Sequence, residues 1–199
     1  MRVGIYRAVW MSVRALARVL YRLEVRGAVP ATGPVVLVAN HEAGLDAVVL
    51  PLATPRPVRF LAKEELWRRR PVAWLMDALG GIPVSRGRGD VQALRRTREL
   101  LEAGEIVGIF PQGTVRGERP WARGAAKLAL ATGAPLVPVR LVNTREALSR
   151  GRIGFPKVSI LIGEPIPVER AKPTIAGARE LTERLQAAVE TLGLRRPVP

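Results

Sequence analysis

The chain has 199 residues, 48% of them apolar and 25% charged, a balance that predicts one folded domain and excludes a disordered chain. Its 32 Lys and Arg residues against 17 Asp and Glu give a formal net charge of +15. The chain has no cysteine, which excludes disulfides and thiolate metal sites, and its one histidine argues against a zinc site, so we expect no metal.

The positive charge predicts an anionic partner. Nucleic acid, an anionic lipid surface, a phosphorylated substrate and an acidic carrier protein would each fit this charge. Nucleic-acid binders usually interleave basic residues with exposed aromatic residues or carry a known reading motif. Aromatic residues make up only 5% of this chain, and no such motif occurs in it, so we expect no nucleic-acid partner.

Residues 3–22 have the pattern of an amphipathic helix. Apolar residues fall within one broad arc at 100° per residue, and an opposite stripe holds Arg7, Arg14, Arg18 and Arg22. The longest uncharged run, residues 8–13, is too short for a transmembrane helix or a secretory signal. Two interpretations are open: contact with a bilayer interface, or packing on the protein's own domain with the arginines in solvent. We favour the first, with 1–22 as a membrane-contact helix and 23–199 as the main domain.

The rest of the chain alternates between strand and helix patterns. Residues 23–34 are rich in turn formers, and the pattern of 64–79 is helical but interrupted at Pro71. Strands are predicted at 35–39, 58–62, 82–84, 106–110, 136–142 and 158–162. Helices are predicted at 47–52, at 121–132, at 174–192, and from Asp90 as N-cap to Ala103. This alternation predicts a single-domain α/β sandwich, in which helices flank a largely parallel sheet and sites gather beyond the strands' carboxyl ends.

The first buried strand ends at the only histidine of the chain, His41, and Asp46 follows five residues later. A five-residue step in a helix turns about 140°, so the chain must bend for the two side chains to meet. We expect Gly44 to permit that bend. A histidine that faces a carboxylate across a tight loop has the geometry of an oriented general base. The alternative is a loop histidine that merely precedes an aspartate at a helix N-terminus.

Four blocks of sequence favour the first interpretation. They are Asn40-His41 with Asp46, Gly80-Gly81-Ile82-Pro83-Val84-Ser85-Arg86, Phe110-Pro111-Gln112-Gly113-Thr114, and Ala134-Pro135-Leu136-Val137-Pro138-Val139. In order and spacing they resemble the blocks of the glycerolipid acyltransferase family, and within it the bacterial 1-acylglycerol-3-phosphate acyltransferases. The resemblance extends from about Leu23 to Ile166, which is most of the chain.

Acyl transfer from a thioester to an alcohol needs a base for the hydroxyl proton and a group that orients the base. His41 is the only histidine available as the base, and Asp46 suits the second role. Without cysteine there can be no thiol acyl-enzyme, and the serine elbow G-x-S-x-G is absent. Direct attack by the acceptor hydroxyl, activated by His41, remains, and the resemblance implies the same route.

The resemblance also implies substrate-binding residues. Arg86 corresponds to the phosphate-binding arginine of the family, although an Arg-rich protein could also simply expose an arginine there. Gln112, Gly113 and Thr114 match the block that contacts the acceptor. We add Asn40, beside the base, to this predicted set.

The third block departs from the family pattern Phe-Pro-Glu-Gly-Thr-Arg. Gln112 stands where the family has glutamate, and Val115 stands where it has arginine. Arg116, one place later, either supplies the missing guanidinium or points elsewhere, and we include it in the predicted substrate-binding set. Glutamine keeps the capacity for hydrogen bonds but lacks the charge. These departures leave the identity of the acceptor more open than the reaction type.

The resemblance, together with the amphipathic helix at 3–22 and the positive charge, predicts a peripheral enzyme on the cytoplasmic face of an anionic membrane. It would transfer a fatty acyl chain from acyl-CoA or acyl carrier protein to 1-acylglycerol 3-phosphate, a lysophosphatidate, and form phosphatidate. The acyl thioester is a co-substrate, and no further cofactor is expected. One alternative is the acylation of another lysolipid. A second is a non-catalytic, basic lipid- or nucleic-acid-binding protein on the same scaffold, which would have no need for the His41 and Asp46 pair.

Overall fold

The computed structural model describes residues 3–78, 80–84, 91–113, 120–149 and 152–194. These residues form a seven-stranded sheet with helices on both faces, and a separate two-stranded pair. The strands are β1 Glu24–Arg26, β2 Val35–Ala39, β3 Val58–Lys63, β4 Gly81–Val84, β5 Ile106–Ile109, β6 Leu136–Val142, β7 Leu148–Ser149, β8 Arg152–Ile153 and β9 Ser159–Ile162. The helices are α1 Val3–Tyr21, α2 Asp46–Val49, α3 Arg70–Ala78, α4 Val91–Glu102, α5 Gly124–Thr132, α6 Thr144–Ala147 and α7 Ile175–Leu194, with 3-10 turns at Leu50–Ala53 and Glu64–Arg68.

The order of strands in the large sheet is β1-β9-β6-β2-β5-β3-β4. All neighbouring strands are parallel except β6 and β9, which are antiparallel. The predicted α/β fold with a largely parallel sheet is therefore confirmed. Because β2 runs parallel to β5 on one side and β6 on the other, the carboxyl ends of these three strands meet at one edge. We call this edge the rim; it comprises residues 40–45, 110–113 and 143.

Strand β2 is buried from end to end, and each of its five residues has a relative exposure of 0%. Successive side chains of a strand point to opposite faces of the sheet. Accordingly Val35, Leu37 and Ala39 pack with residues 49–53 and part of α1, whereas Val36 and Val38 pack with α4, α5 and α7. Coverage on both faces explains the continuous apolar run in the sequence. The same packing holds Ala39 in place, at the end of β2 where the loop with His41 begins.

Helix α1 packs along its own domain through one face. Tyr6 is buried, and its hydroxyl donates a hydrogen bond to the carbonyl oxygen of Arg56 at 3.3 Å. One turn further on, Trp10 Nε1 donates to the carbonyl oxygen of Pro51 at 3.1 Å. The helix was predicted to within one residue at its end, and the proposed division between residues 22 and 23 stays a prediction.

Arg14 is half-buried against the domain and is not an exposed member of the predicted arginine stripe on α1. Its Nη1 donates to the carbonyl oxygen of Leu52 at 2.9 Å, and its guanidinium carbon lies 4.8 Å from the centroid of a Trp10 ring. Arg7 and Arg18 are exposed as predicted. The apolar arc is broader than the face that the domain covers, so part of it stays in solvent. The large apolar residues exposed on α1 are Met11, Leu16, Val19 and Leu20.

Other element boundaries differ from the predictions for local reasons. The turn-rich segment 23–34 contains β1, a three-residue edge strand too short to show a periodicity. The helix predicted at 64–79 is not interrupted at Pro71. Pro71 is the second residue of α3, a position that needs no backbone N–H donor, and the helix begins just before it. Helix α6 and the pair β7 and β8 were not predicted. The predicted N-cap Asp90 lies outside the described residues.

Candidate active site

Asn40 joins the end of β2 to β6. Its Oδ1 accepts the backbone N–H of Leu141 at 2.7 Å, and its Nδ2 donates to the carbonyl oxygen of Leu141 at 3.0 Å. The second hydrogen of Nδ2 points to Glu42 Oε1 at 2.9 Å. Both amide hydrogens are therefore used inside the protein, and the side chain is 3% exposed. The geometry makes Asn40 a support for the histidine loop and gives no support to its predicted contact with substrate.

The structure brings His41 and Asp46 together. Nδ1 of His41 lies 2.9 Å from Oδ2 of Asp46, whose side chain is fully buried, while the His41 side chain is 18% exposed. An ionised carboxylate only accepts hydrogen bonds, so the imidazole proton resides on Nδ1 and the lone pair on Nε2. A neutral imidazole oriented in this way can take a proton from a bound hydroxyl at Nε2.

The bend between these residues does not depend on Gly44, contrary to the prediction. Gly44 is absent from the glycines with a positive φ, and a Cβ built there would meet nothing within 4 Å. Asp46 Oδ2 instead accepts the backbone N–H groups of Glu42 at 2.6 Å and Ala43 at 2.9 Å. The carboxylate that orients the base therefore also folds the loop that carries it.

The turn after β5 contacts His41 at two points. Gln112 Oε1 accepts the backbone N–H of His41 at 2.7 Å. The ring of Phe110 stacks on the imidazole, with 4.4 Å between centroids and 24° between ring planes. Gly113 closes the turn at φ +62°, a left-handed conformation that favours glycine, and its N–H donates to the carbonyl oxygen of Phe110 at 3.0 Å. Gln112 and Gly113 thus lie at the rim beside the base.

Three predicted substrate-binding residues, Arg86, Thr114 and Arg116, lie outside the described residues, so their placement and roles stay predictions. The sequence did not predict every side chain that lies at the site. Phe110 was assigned to a strand rather than to the site, although an aromatic residue at the carboxyl end of a central strand is a usable signal. The pair of Glu42 and Arg140, whose Oε1 and Nη2 lie 3.6 Å apart, carried no such signal because β6 is distant in sequence.

The described residues also form a recess apart from the rim. This recess, between β4 and α4, is bordered by Arg59, Ile82, Arg96 and Glu105, and none of its lining residues belongs to the histidine loop. Within the described ranges, no cluster of three His, Cys, Asp or Glu side chains could hold a metal ion. We assign the chemistry to the rim because an oriented base lies there and the recess has no histidine.

The family comparison agrees with the geometry of the rim. The family model described as Acyltransferase matches residues 22–142, which include β2, the loop with His41 and Asp46, β5 and β6. The chain belongs to the Acyltransferase family. The resemblance recognised in the sequence blocks is thereby confirmed, and the match covers both loops that meet at His41.

Individual acyltransferases of known name are also similar to the chain. A chloroplastic 1-acyl-sn-glycerol-3-phosphate acyltransferase of Brassica napus is 32% identical over 141 residues, which are 67% of this chain and 41% of that protein. The 1-acyl-sn-glycerol-3-phosphate acyltransferase of Bacillus subtilis is 31% identical over 139 residues, 69% of each chain. The chain therefore spans less than half the length of the Brassica relative.

One solved structure matches nearly the whole chain. It is the crystal structure of the 1-acyl-sn-glycerophosphate (LPA) acyltransferase PlsC of Thermotoga maritima. The match has a TM-score of 0.73 at 26% identity and covers 96% of this chain and 82% of that one. The fold of this acyltransferase family member is therefore that of the Thermotoga enzyme.

Proposed function

We propose that this protein is an acyltransferase that moves a fatty acyl chain from a thioester to the free hydroxyl of 1-acylglycerol 3-phosphate, forming phosphatidate. The contact of 2.9 Å between His41 Nδ1 and Asp46 Oδ2 carries the proposal, because it leaves Nε2 as a base at the rim. Family membership and the names of the Brassica, Bacillus and Thermotoga proteins support the reaction and the acceptor.

The proposed step needs only one base. His41 Nε2 takes the proton of the acceptor hydroxyl as its oxygen attacks the thioester carbonyl carbon. A tetrahedral intermediate forms and collapses, the carbon–sulfur bond breaks, and the thiolate takes the proton back from the imidazolium. Asp46 stabilises the imidazolium during this cycle, because its Oδ2 lies against Nδ1 throughout. The histidine thus begins and ends the cycle neutral.

The substrates are proposed by class. The donor is acyl-CoA or acyl carrier protein, both of which are anionic and suit a protein with a net charge of +15. Arg86 and Arg116 would hold the acceptor phosphate, with Gly113 and Thr114 lining the same end. This part of the proposal depends on the sequence blocks alone. No cofactor or metal has a part in the proposed step.

Another lysolipid is the second candidate acceptor. The observation that favours it is the departure of the third block, where Gln112 and Val115 replace the family's glutamate and arginine. A changed set of charges around the acceptor changes which headgroup the site prefers. The chemistry at His41 would be the same for either acceptor. A purely lipid-binding protein would have no need for the base and its orienting carboxylate.

We also propose that the protein acts at the cytoplasmic face of an anionic membrane as a peripheral protein. Val19 on α1 is 78% exposed and Trp74 on α3 is 66% exposed. The two helices adjoin, since Val9 of α1 packs in the same apolar cluster as Met76 of α3. We call the exposed residues Met11, Leu16, Val19, Leu20 and Trp74 the apolar surface. The same helix α1 and the segment that leads into α3 also carry exposed arginines, namely Arg7, Arg18, Arg68, Arg69 and Arg70. No helix within the described ranges is long and apolar enough to cross a bilayer.

The acceptor can be tested directly with a panel. Purified protein is incubated with radiolabelled acyl-CoA and, separately, with lysophosphatidate, lysophosphatidylcholine and a lysolipid that lacks phosphate. We expect label in phosphatidate, and a higher kcat/KM for lysophosphatidate than for the other acceptors. A preference for another lysolipid would support the second candidate. Label in no lipid product, with either acyl-CoA or acyl carrier protein as donor, would contradict the proposed function.

A further inference from the structure

The base is held by three separate contacts, and one of them comes from a residue that departs from the family pattern. Asp46 binds the ring nitrogen Nδ1, Phe110 covers one ring face, and Gln112 binds the backbone N–H. Asp46 and His41 belong to the same loop, whereas Gln112 reaches His41 from the turn after the neighbouring strand β5. Among the described residues, Gln112 therefore makes the side-chain hydrogen bond that links that turn to the main chain of His41.

The hydrogen bond fixes the orientation of the Gln112 carboxamide. A backbone N–H can only donate, so the atom 2.7 Å from it must be the carbonyl oxygen Oε1. A carboxylate could accept the same bond but would place a negative charge beside the imidazole. The amide makes the bond without that charge. The choice between the two groups therefore changes the electrostatics at His41 and leaves the bond in place.

Among the described residues, the loop itself carries two acidic groups, Asp46 and Glu42, and Arg140 of β6 lies beside it. Asp46 faces the imidazole directly at 2.9 Å. Glu42, in the same loop, lies 3.6 Å from Arg140 Nη2 on β6, so its charge has a partner of opposite sign. A carboxylate at position 112 would add a second anion close to the ring. It would stabilise the imidazolium and so hold the base in its inactive, protonated form over a wider range of pH.

We propose that Gln112 is a positioning residue for the base, which fixes the main chain of His41 while keeping the surroundings of the imidazole free of a second negative charge. The proposal deepens the proposed function and depends on it for the role of His41. Two consequences can be separated by substitution. Gln112→Met has a side chain of similar length without the acceptor oxygen. Gln112→Glu keeps the acceptor oxygen and adds the charge.

The sole histidine permits a test that needs no substrate. In protein labelled with 15N-histidine, NMR observes the His41 imidazole alone, and its titration is followed in the parent, Gln112→Glu and Gln112→Met. Gln92→Glu, at an exposed glutamine of α4, is the matched control for one added charge. We expect the midpoint of Gln112→Glu to rise by about one pH unit, and that of Gln92→Glu to stay with the parent. A midpoint in Gln112→Glu equal to that of Gln92→Glu would overturn the proposal.

Kinetics then distinguish positioning from contact with substrate. We expect Gln112→Met to lower kcat about tenfold, the effect of one lost hydrogen bond, with little change in the KM of the acceptor. Gln112→Glu should recover kcat at high pH and lose it in acid at a higher pH than the parent does. If Gln112→Met instead raises the KM of the acceptor and leaves kcat unchanged, Gln112 contacts substrate and the proposal is wrong.

Different measurements test the proposed function and the proposed role of Gln112. If the parent protein transfers no acyl group to any acceptor, the proposed function fails, while the NMR titration still decides whether Gln112 controls the surroundings of His41. Thermal unfolding of each variant shows whether the fold is kept. If Gln112→Met does not fold, Gln112→Glu, which retains the acceptor oxygen, still decides the proposal through its titration.

Discussion

One oxygen atom of Asp46 orients the base and also shapes the loop that holds it. Oδ2 accepts from His41 Nδ1 and from the backbone N–H groups of Glu42 and Ala43. A substitution at position 46 therefore changes both the proton on the imidazole and the path of the chain. Asp77 has no such double role. It lies on the molecular surface, where its Oδ1 accepts a hydrogen bond from Trp67 Nε1.

Asp46→Asn should lower turnover by about a hundredfold or more, because the amide no longer stabilises the imidazolium formed as the base takes the proton. It should also lower the free energy of unfolding by about 1 kcal/mol, since a hydrogen bond to the loop is weakened. Initial rates at saturating substrates and chemical denaturation measure these effects. Asp77→Asn is the matched control and should keep the parent rate. Equal rates for the two variants would remove Asp46 from the mechanism.

The sequence predicts part of the site at this scale. A unique histidine at a strand end and an aspartate five residues later suggested their contact, and the four sequence blocks favoured it over the alternative of a plain loop histidine. The support of the loop by backbone N–H groups could not be predicted, because it depends on how the carboxylate turns back on its own chain. The contacts of Phe110 and Gln112 depend on the parallel register that sets Val38 beside Ile109, and no local pattern encodes that register.

Among the elements, α1 shows most clearly how a helix can be predicted while its orientation is not. The bounds follow from the periodicity of apolar residues, which is local. The covered face follows from partners that are distant in sequence, such as the carbonyl groups of Pro51 and Leu52. Those carbonyl groups lie in a 3-10 turn, where backbone acceptors stay available, and they accept hydrogen bonds from Trp10 and Arg14. Burial, followed by the proximity of Arg18, accordingly lowers the pKa of Arg14 from its usual value.

Arg14→Gln should destabilise the protein by about 1 kcal/mol, because it removes the bond to the Leu52 carbonyl and the stacking on Trp10. Arg18→Gln, at an exposed position of the same helix, should change stability by less than about 0.5 kcal/mol. Denaturant midpoints at constant slope measure both effects. If the two substitutions have the same effect, the contacts of Arg14 add nothing to stability.

At the scale of the whole molecule, the alternation of strand and helix patterns predicted the α/β architecture and the gathering of the site at one edge. It did not predict the reversed direction of β9 against β6. No helix is predicted between the strands at 136–142 and 158–162, which permits an antiparallel pair, but the sequence does not show that these two strands are neighbours in the sheet. The apolar surface shows the same limit, since the two helices that carry it, α1 and α3, adjoin only through tertiary packing.

The apolar surface should bind anionic vesicles. We expect Val19→Ser together with Leu16→Ser to weaken co-sedimentation with phosphatidylglycerol vesicles about tenfold, since two apolar side chains would no longer enter the bilayer interface. The matched control is Ile175→Ser on α7, because Ile175 is 73% exposed and Val19 is 78% exposed. If Ile175→Ser weakens binding as strongly, the loss is not specific to this surface.

The arginines near the apolar surface should contribute separately. Replacing the exposed Arg7 and Arg18 by Gln should lower vesicle binding at low salt and have a smaller effect at high salt. The reason is that ions screen exposed charges within about 10 Å at 0.1 M. Turnover on a short-chain, water-soluble acceptor should stay at the parent level, because the contacts of His41 are untouched. Vesicle binding that does not depend on salt would place the membrane contact on another part of the molecule.

The most direct test of the account is the rate of acyl transfer by His41→Ala at saturating thioester and lysophosphatidate. His41 is the only histidine in the chain, so no second imidazole can replace it as the base. The role of His41 as the base predicts a loss of about 10²–10⁴-fold in kcat, the usual contribution of a general base, with acceptor binding nearly unchanged. A His41→Ala protein that folds and keeps the parent kcat would contradict it.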